Sequence, residues 1–145
     1  MTYSTDAPLV YFARGVDGLS RPEVLAAGRR LAQVLLAHGV TVIDPVLELQ
    51  CRQIDDREVV EHDLRFLRRS DAVFMDMSIP RRNYVGCCCE LVYAHLWRIP
   101  AVVYVGRSGN QGRPWLCYHA AGVHTSYRKA LTHLLAVLPT HSIAT

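Results

Sequence analysis

A chain of 145 residues can close one hydrophobic core without disulfide or metal staples, so a single domain over residues 1–145 is expected. Hydrophobic residues make up 50% and charged residues 20%, which excludes a disordered or fibrous protein. The formal net charge is +3, with arginines scattered among acids rather than gathered in a stripe, so no nucleic-acid partner is expected.

Residues 1–7 lack the basic-then-apolar pattern of a secretory signal, and no apolar run approaches the ~20 residues that span a bilayer. A cytoplasmic protein without a membrane partner is therefore expected. The five cysteines agree with this. Cys87, Cys88 and Cys89 are consecutive, which is unsuited to mutual disulfides, while Cys51 and Cys117 stand alone; all five read as reduced thiols.

Leu9-Val10-Tyr11-Phe12-Ala13 reads as a buried first strand, left through a turn that holds Arg14, Gly15 and Gly18. Ser20 and Glu23 have the spacing of a capping box, with Pro22 in the first turn, and the helix they open runs through Leu25, Leu31 and Leu35 to Gly39. Val40 to Ile43 form a second strand, which Asp44-Pro45 stops before a polar stretch over residues 48–53. Asp55 or Asp56 caps a second helix whose apolar face is Val60, Leu64 and Leu67.

A third strand covers residues 71–77, with Asp71 at its front and Asp76 near its end, followed by a loop to Val85. The third helix is read over residues 86–97 and the fourth strand over residues 101–105. A polar glycine-rich loop follows over residues 106–113, then a short fifth strand at residues 123–125. The last helix passes through Ala130, Leu134 and Val137. Strands alternating with helices predict an α/β domain, a mostly parallel five-stranded sheet with helices on both faces. In such a sheet ligands bind in the crevice beyond the carboxyl ends of the strands. The segments to weigh are therefore residues 14–18, 44–45, 76–86 and 106–113.

On this reading Glu90 lies in the first turn of the third helix, where free backbone N–H groups and the helix dipole favour its ionised form. A carboxylate held there can attack an anomeric carbon as a displaced base leaves, dividing one hard displacement into two easier ones. Acids are also favoured in the first turn of any helix, and position alone supports that plainer role. Asp63 sits beside the apolar stripe of the second helix. It is either a solvated helix acid or, if it enters the pocket, the group that protonates the leaving base and later takes a proton from the acceptor.

Three pieces of the chain carry a resemblance: Val10-Tyr11-Phe12-Ala13; His62-Asp63-Leu64 leading to Ser70-Asp71-Ala72-Val73; and Gly86-Cys87-Cys88-Cys89-Glu90-Leu91-Val92-Tyr93-Ala94 leading to Ile99-Pro100-Ala101-Val102. Together they resemble the nucleoside 2-deoxyribosyltransferase family, and the spacing from Asp63 through Asp71 to Glu90 carries the match. The resemblance implies a flavodoxin-like (Rossmann-like) fold and a homo-oligomer in which a neighbour completes each pocket. It implies the nucleophile at Glu90, the aspartate that works on the base at Asp63, and the first-strand tyrosine at Tyr11, which would orient the nucleophile. Two departures stand out: Tyr84 replaces an aspartate six residues before the nucleophile, and three cysteines replace small residues after Gly86.

Ala13, Arg14, Gly15, Asp76, Tyr84 and Gly86 are expected to line the sugar or base pocket, from their places after the strands and at the start of the third helix. No cofactor is called for. The reaction expected is transfer of a deoxyribosyl or ribosyl group between nucleobases through a glycosyl ester on Glu90. With water as acceptor the same machinery is a hydrolase of a nucleoside or a nucleoside 5′-monophosphate, for which Arg14, Arg81 and Arg82 can serve an anion. The reading from another class is a binding module that only hydrogen-bonds a nucleoside.

Other groupings carry less. The triple cysteine lacks a partner set for metal and reads as packing, and the histidines show no metal-ligand spacing. Residues 106–112 lack the Lys-Ser/Thr ending of a triphosphate loop and read as a mobile loop near the site or a subunit interface. Trp97, Trp115 and Tyr118 suit base stacking and interface packing equally.

Overall fold

The computed structural model describes residues 7–48 and 55–140, so Cys51 and most of the polar stretch after Glu48 lie outside the described residues. Five strands, β1 (Leu9–Arg14), β2 (Thr41–Ile43), β3 (Ala72–Asp76), β4 (Ala101–Tyr104) and β5 (Gly122–His124), form one sheet in the order β2-β1-β3-β4-β5. Every pairing is parallel, with Tyr11 of β1 beside Ile43 on one side and Val73 on the other. The helices are α1 (Arg21–Leu36), α2 (Pro45–Glu48), α3 (Asp56–Arg69), α4 (Val85–Leu96), α5 (Pro114–His119) and α6 (Tyr127–Val137). This is the parallel sheet that the alternation of strands and helices predicts, in the flavodoxin-like arrangement that the resemblance implies.

The pleat sorts side chains by parity. Tyr11, Ala13, Val73, Met75 and Val103 pack with Leu67 of α3, Leu91 of α4 and Leu116 of α5. Val10, Phe12, Phe74 and Val102 pack on the other side with Leu31 and Leu35 of α1 and Ala130 and Leu134 of α6. Burial on both faces explains why the central strands read as continuous apolar runs rather than alternating ones.

The helix ends follow their local chemistry. Ser20 and Glu23 close a reciprocal capping box, with the Ser20 N–H donating to Glu23 Oε2 at 2.7 Å. Asp55 accepts from the Glu58 N–H at 2.8 Å, and Arg68 and Arg69 occupy the last turn of α3, where cations complement the helix dipole. Two elements depart from the sequence reading. Pro45 does not merely stop β2; it opens the single turn α2, because a proline suits the first helical position. Pro114 opens α5 in the same way, and its six residues are too few to show a helical period.

Candidate functional site

The strand order reverses direction between β1 and β3, and ligands of such sheets bind at that switch point. A cleft of about 270 Å³ opens there, bordered by Tyr11, Ala13 and Arg14 from β1, Pro45 from α2, Asp63 from α3 and Glu90 from α4. Odd parity on β1 turns Tyr11 and Ala13 toward α3 and α4. Val59 and Asp63 stand one turn apart on α3, so both reach the cleft. Residues from four elements, far apart in the chain, thus converge.

Glu90 is the sixth residue of α4, in its second turn rather than the first turn of the sequence reading, and the helix begins at Val85, one residue before the expected start, with Tyr84 as its N-cap. Its side chain leans back toward the helix start, and its Oε1 lies 3.9 Å from where a Cβ on Gly86 would stand. Burial raises the carboxyl to about 7, the Tyr11 hydroxyl lowers it in part, and the Asp63 carboxylate raises it further. The sequence reading expected the helix start to hold Glu90 ionised; desolvation outweighs that influence, which fades beyond the first turn.

The Tyr11 hydroxyl is buried without a hydrogen-bond partner of full geometry. Burial and the Glu90 carboxylate both push its pKa above the ordinary phenol range. Although it completes no such bond, the phenol interacts with Glu90 strongly enough to favour the ionised carboxylate. Asp63 is raised by burial and lowered by His62, whose Nδ1 lies 3.4 Å from Asp63 Oδ1. His62 Nε2 lies 3.5 Å from Glu48 Oε2, so the imidazole bridges α2 and α3. The sequence reading did not single out this role, since adjacent positions on a helix ordinarily face apart.

The other expected residues divide. Arg14 has the parity of Phe12, and its guanidinium turns to the α1 side: Nη1 donates to the Val24 carbonyl at 2.7 Å, and Nη2 meets Asp44 Oδ2 at 2.5 Å. That pair is 4% and 9% exposed, so its charge is spent inside the protein. Asp76 shares this parity, lies beside Arg14 in the sheet, and accepts from the Ser78 N–H at 3.0 Å.

Tyr84 is buried, and its ring packs on Gly15, where an added Cβ would lie 3.1 Å from Tyr84 Cε1. Its hydroxyl accepts from the Ile79 N–H at 3.1 Å, tying the loop after β3 to itself. Gly86 is exposed beside the Glu90 carboxylate. The cleft therefore gathers Tyr11, Ala13, Asp63 and Glu90, with Gly86 at its edge and Gly15 and Tyr84 packed together beside it. The Arg14 guanidinium and Asp76 belong to the opposite face of the sheet.

A larger cavity of about 570 Å³ lies along α4 and α5, with apolar walls that include Leu91, Tyr93, Leu96, Trp115 and Cys88. Cys88, Cys89 and Cys117 are exposed free thiols, whereas Cys87 is buried and its thiol pKa is raised by burial. The loop after β4 is anchored through Asn110 Nδ2, which donates to the Met77 carbonyl at 3.2 Å. Among the described residues no three His, Cys, Asp or Glu side chains come together as metal ligands, and no helix is long and apolar enough to cross a membrane.

Solved structures share this architecture. A 2-deoxyribosyltransferase from the psychrotolerant bacterium Bacillus psychrosaccharolyticus is 18% identical, with 90% of this chain and 96% of that one covered at a TM-score of 0.69. A conserved protein from Enterococcus faecalis V583 is 16% identical over 91% of this chain and 99% of its own, at 0.72. A 2-desoxiribosyltransferase from Leishmania mexicana is 15% identical over 89% and 97%, at 0.69. No family model and no curated protein matches the chain. The fold is thus one that 2-deoxyribosyltransferases adopt, as the resemblance in sequence implies.

Proposed function

We propose that this single-domain chain is a cytoplasmic nucleoside deoxyribosyltransferase-type enzyme that moves a deoxyribosyl or ribosyl group between nucleobases. The observation that carries the reading is the meeting of Glu90, Asp63 and the unpartnered Tyr11 hydroxyl in one cleft at the switch point of the sheet. The two 2-deoxyribosyltransferases of the same fold support it.

In the first step a Glu90 carboxylate oxygen attacks C1′ of the nucleoside, the C1′–N bond breaks, and its electron pair leaves with the base. Asp63, whose carboxyl burial raises above its ordinary range, passes its proton to the departing base nitrogen. The Tyr11 hydroxyl favours the ionised form of Glu90 as nucleophile. In the second step a nitrogen of the incoming base attacks C1′, the ester bond to Glu90 breaks, and Asp63 takes the proton that this nitrogen loses. No cofactor enters either step. Ala13 and Gly86 offer backbone without bulk for the substrate to approach, and Tyr84 packs on Gly15 beside the cleft.

The enzyme works as a homo-oligomer, its apolar α4 and α5 face covered by a second copy. The test is incubation with a panel of nucleosides and their 5′-monophosphates, with and without a second free base, following base release and exchange by chromatography. Exchange that requires the second base, and that falls more than about a thousandfold in Glu90→Gln, is expected. Release without a second base makes the enzyme a hydrolase. Substrates returned intact throughout would leave a nucleoside-binding module in its place.

A further inference from the structure

Asp63 borders the cleft, whereas His62, the residue before it on α3, does not. The imidazole is nevertheless held on three sides. Its Nδ1 lies 3.4 Å from Asp63 Oδ1, its Nε2 lies 3.5 Å from Glu48 Oε2 on α2, and the Phe66 ring, one helical turn on, has its centroid 4.7 Å away. The side chains of His62 and Asp63 are 17% and 26% exposed, so water screens their contact only in part.

An imidazole carries an N–H on both nitrogens only as the cation; the neutral ring has one N–H and one lone pair. With a carboxyl group facing each nitrogen, the cation donates on both sides at once and the neutral ring on one side only. A ring N–H directed at Asp63 favours the ionised carboxylate over the protonated acid. The balance at Asp63 has that sign, since burial raises its carboxyl and His62 lowers it again. The other titratable groups that face this pair are Glu48 on α2, Glu90 on α4 and Tyr11 on β1.

The reaction uses Asp63 twice. As the base leaves, Asp63 gives up its proton and is left as a carboxylate, and it takes a proton back only when the acceptor nitrogen attacks. We propose that His62 is the positioning residue for Asp63, fixing its carboxyl toward the base and holding it ionised between the two half-reactions. This role rests on the transferase reading and adds to it a side chain that touches no reacting atom. Glu48, on the far side of the ring, fixes its rotation.

The test is a carboxyl-carbon NMR titration of Asp63 in the full chain, its signal identified by its loss in Asp63→Asn, beside base exchange measured against pH, in the wild type, His62→Ala, His62→Asn and His62→Gln. Asparagine keeps an N–H near the place of Nδ1, toward Asp63, whereas glutamine carries its amide toward Glu48. The Asp63 titration, and the limb of the exchange profile that follows it, are expected to move to higher pH in His62→Ala and His62→Gln and to return toward the wild type in His62→Asn. Exchange is expected to fall about tenfold in His62→Ala and to recover in part in His62→Asn. If His62→Ala loosens the fold, His62→Gln keeps the bulk beside Phe66 and carries the same comparison. An Asp63 titration that stays in place in His62→Ala and His62→Gln overturns the role, whatever the activity. A titration that moves in a chain whose wild type neither exchanges nor releases base instead sinks the transferase reading, and the catalytic use of the contact with it.

Discussion

Glu90 carries opposite demands at the scale of one residue. Burial raises its carboxyl from 4.5 to about 7 in the folded chain, so the folded state holds this proton more tightly than the unfolded chain. Its contribution to stability is full below pH 4.5 and is lost as pH rises through about 7. Glu90→Gln removes the penalty and is expected to stabilise the protein above pH 7 by up to roughly 3 kcal/mol, with no gain below pH 4.5. Thermal melts of both proteins on either side of that window check this, and an offset that does not change with pH counts against it. For the reaction, the carboxylate form is the nucleophile, so activity is expected to climb through pH 7. Because the Tyr11 hydroxyl lowers the Glu90 pKa, Tyr11→Phe is expected to move the climbing limb to higher pH. A limb that stays in place would separate Tyr11 from Glu90.

At the scale of elements, α1 and β2 meet over the Arg14–Asp44 pair. A Cβ on Gly28 would lie 2.7 Å from Asp44 Oδ2 and 3.3 Å from Arg14 Nη2. Alanine favours a helix interior over glycine by about 1 kcal/mol, but disrupting a buried ion pair costs about 3–5 kcal/mol. The second effect is larger, and Gly28→Ala is expected to destabilise the fold by roughly 2–3 kcal/mol, read as a shift of the denaturant midpoint. The same contact holds the end of β1 and the start of α2 together, and both border the cleft. An unchanged midpoint would mean that the pair has room to yield.

For the whole molecule, the exposed apolar surface is uneven. Val85, Leu96, Trp115 and Tyr118 are 63%, 67%, 73% and 72% exposed, all of them on α4 and α5. The only acid of α4 is Glu90, which faces the cleft, so no charge of either sign from Asp, Glu, Lys or Arg guards its outer face. Contiguous apolar surface of this kind marks a docking face, on which the proposed homo-oligomer places a second copy. Leu96→Glu is expected to convert the oligomer to a monomer in sedimentation velocity while leaving the melting temperature of the single chain nearly unchanged. A wild-type chain that already sediments as a monomer would remove the assignment.

Much of this molecule is settled by short-range chemistry and is therefore legible in the sequence. Apolar runs of β-formers mark the strands, Ser20 with Glu23 and Asp55 mark helix starts, and alternation predicts the parallel sheet. Tyr11, Asp63 and Glu90 could be singled out by position and by resemblance, and the fold brings all three to one cleft. What the tertiary structure decided depends on summed contacts from distant parts of the chain. Arg14 reads as a turn residue, yet β1 extends through it and the pleat turns its guanidinium to the α1 side. Tyr84 reads as a pocket residue, yet its ring lies on Gly15 and its hydroxyl serves Ile79. The ionisation of Glu90 is decided by burial, which no local pattern records: helix position suggested a carboxylate at neutral pH, and desolvation by neighbouring elements raises it to about 7.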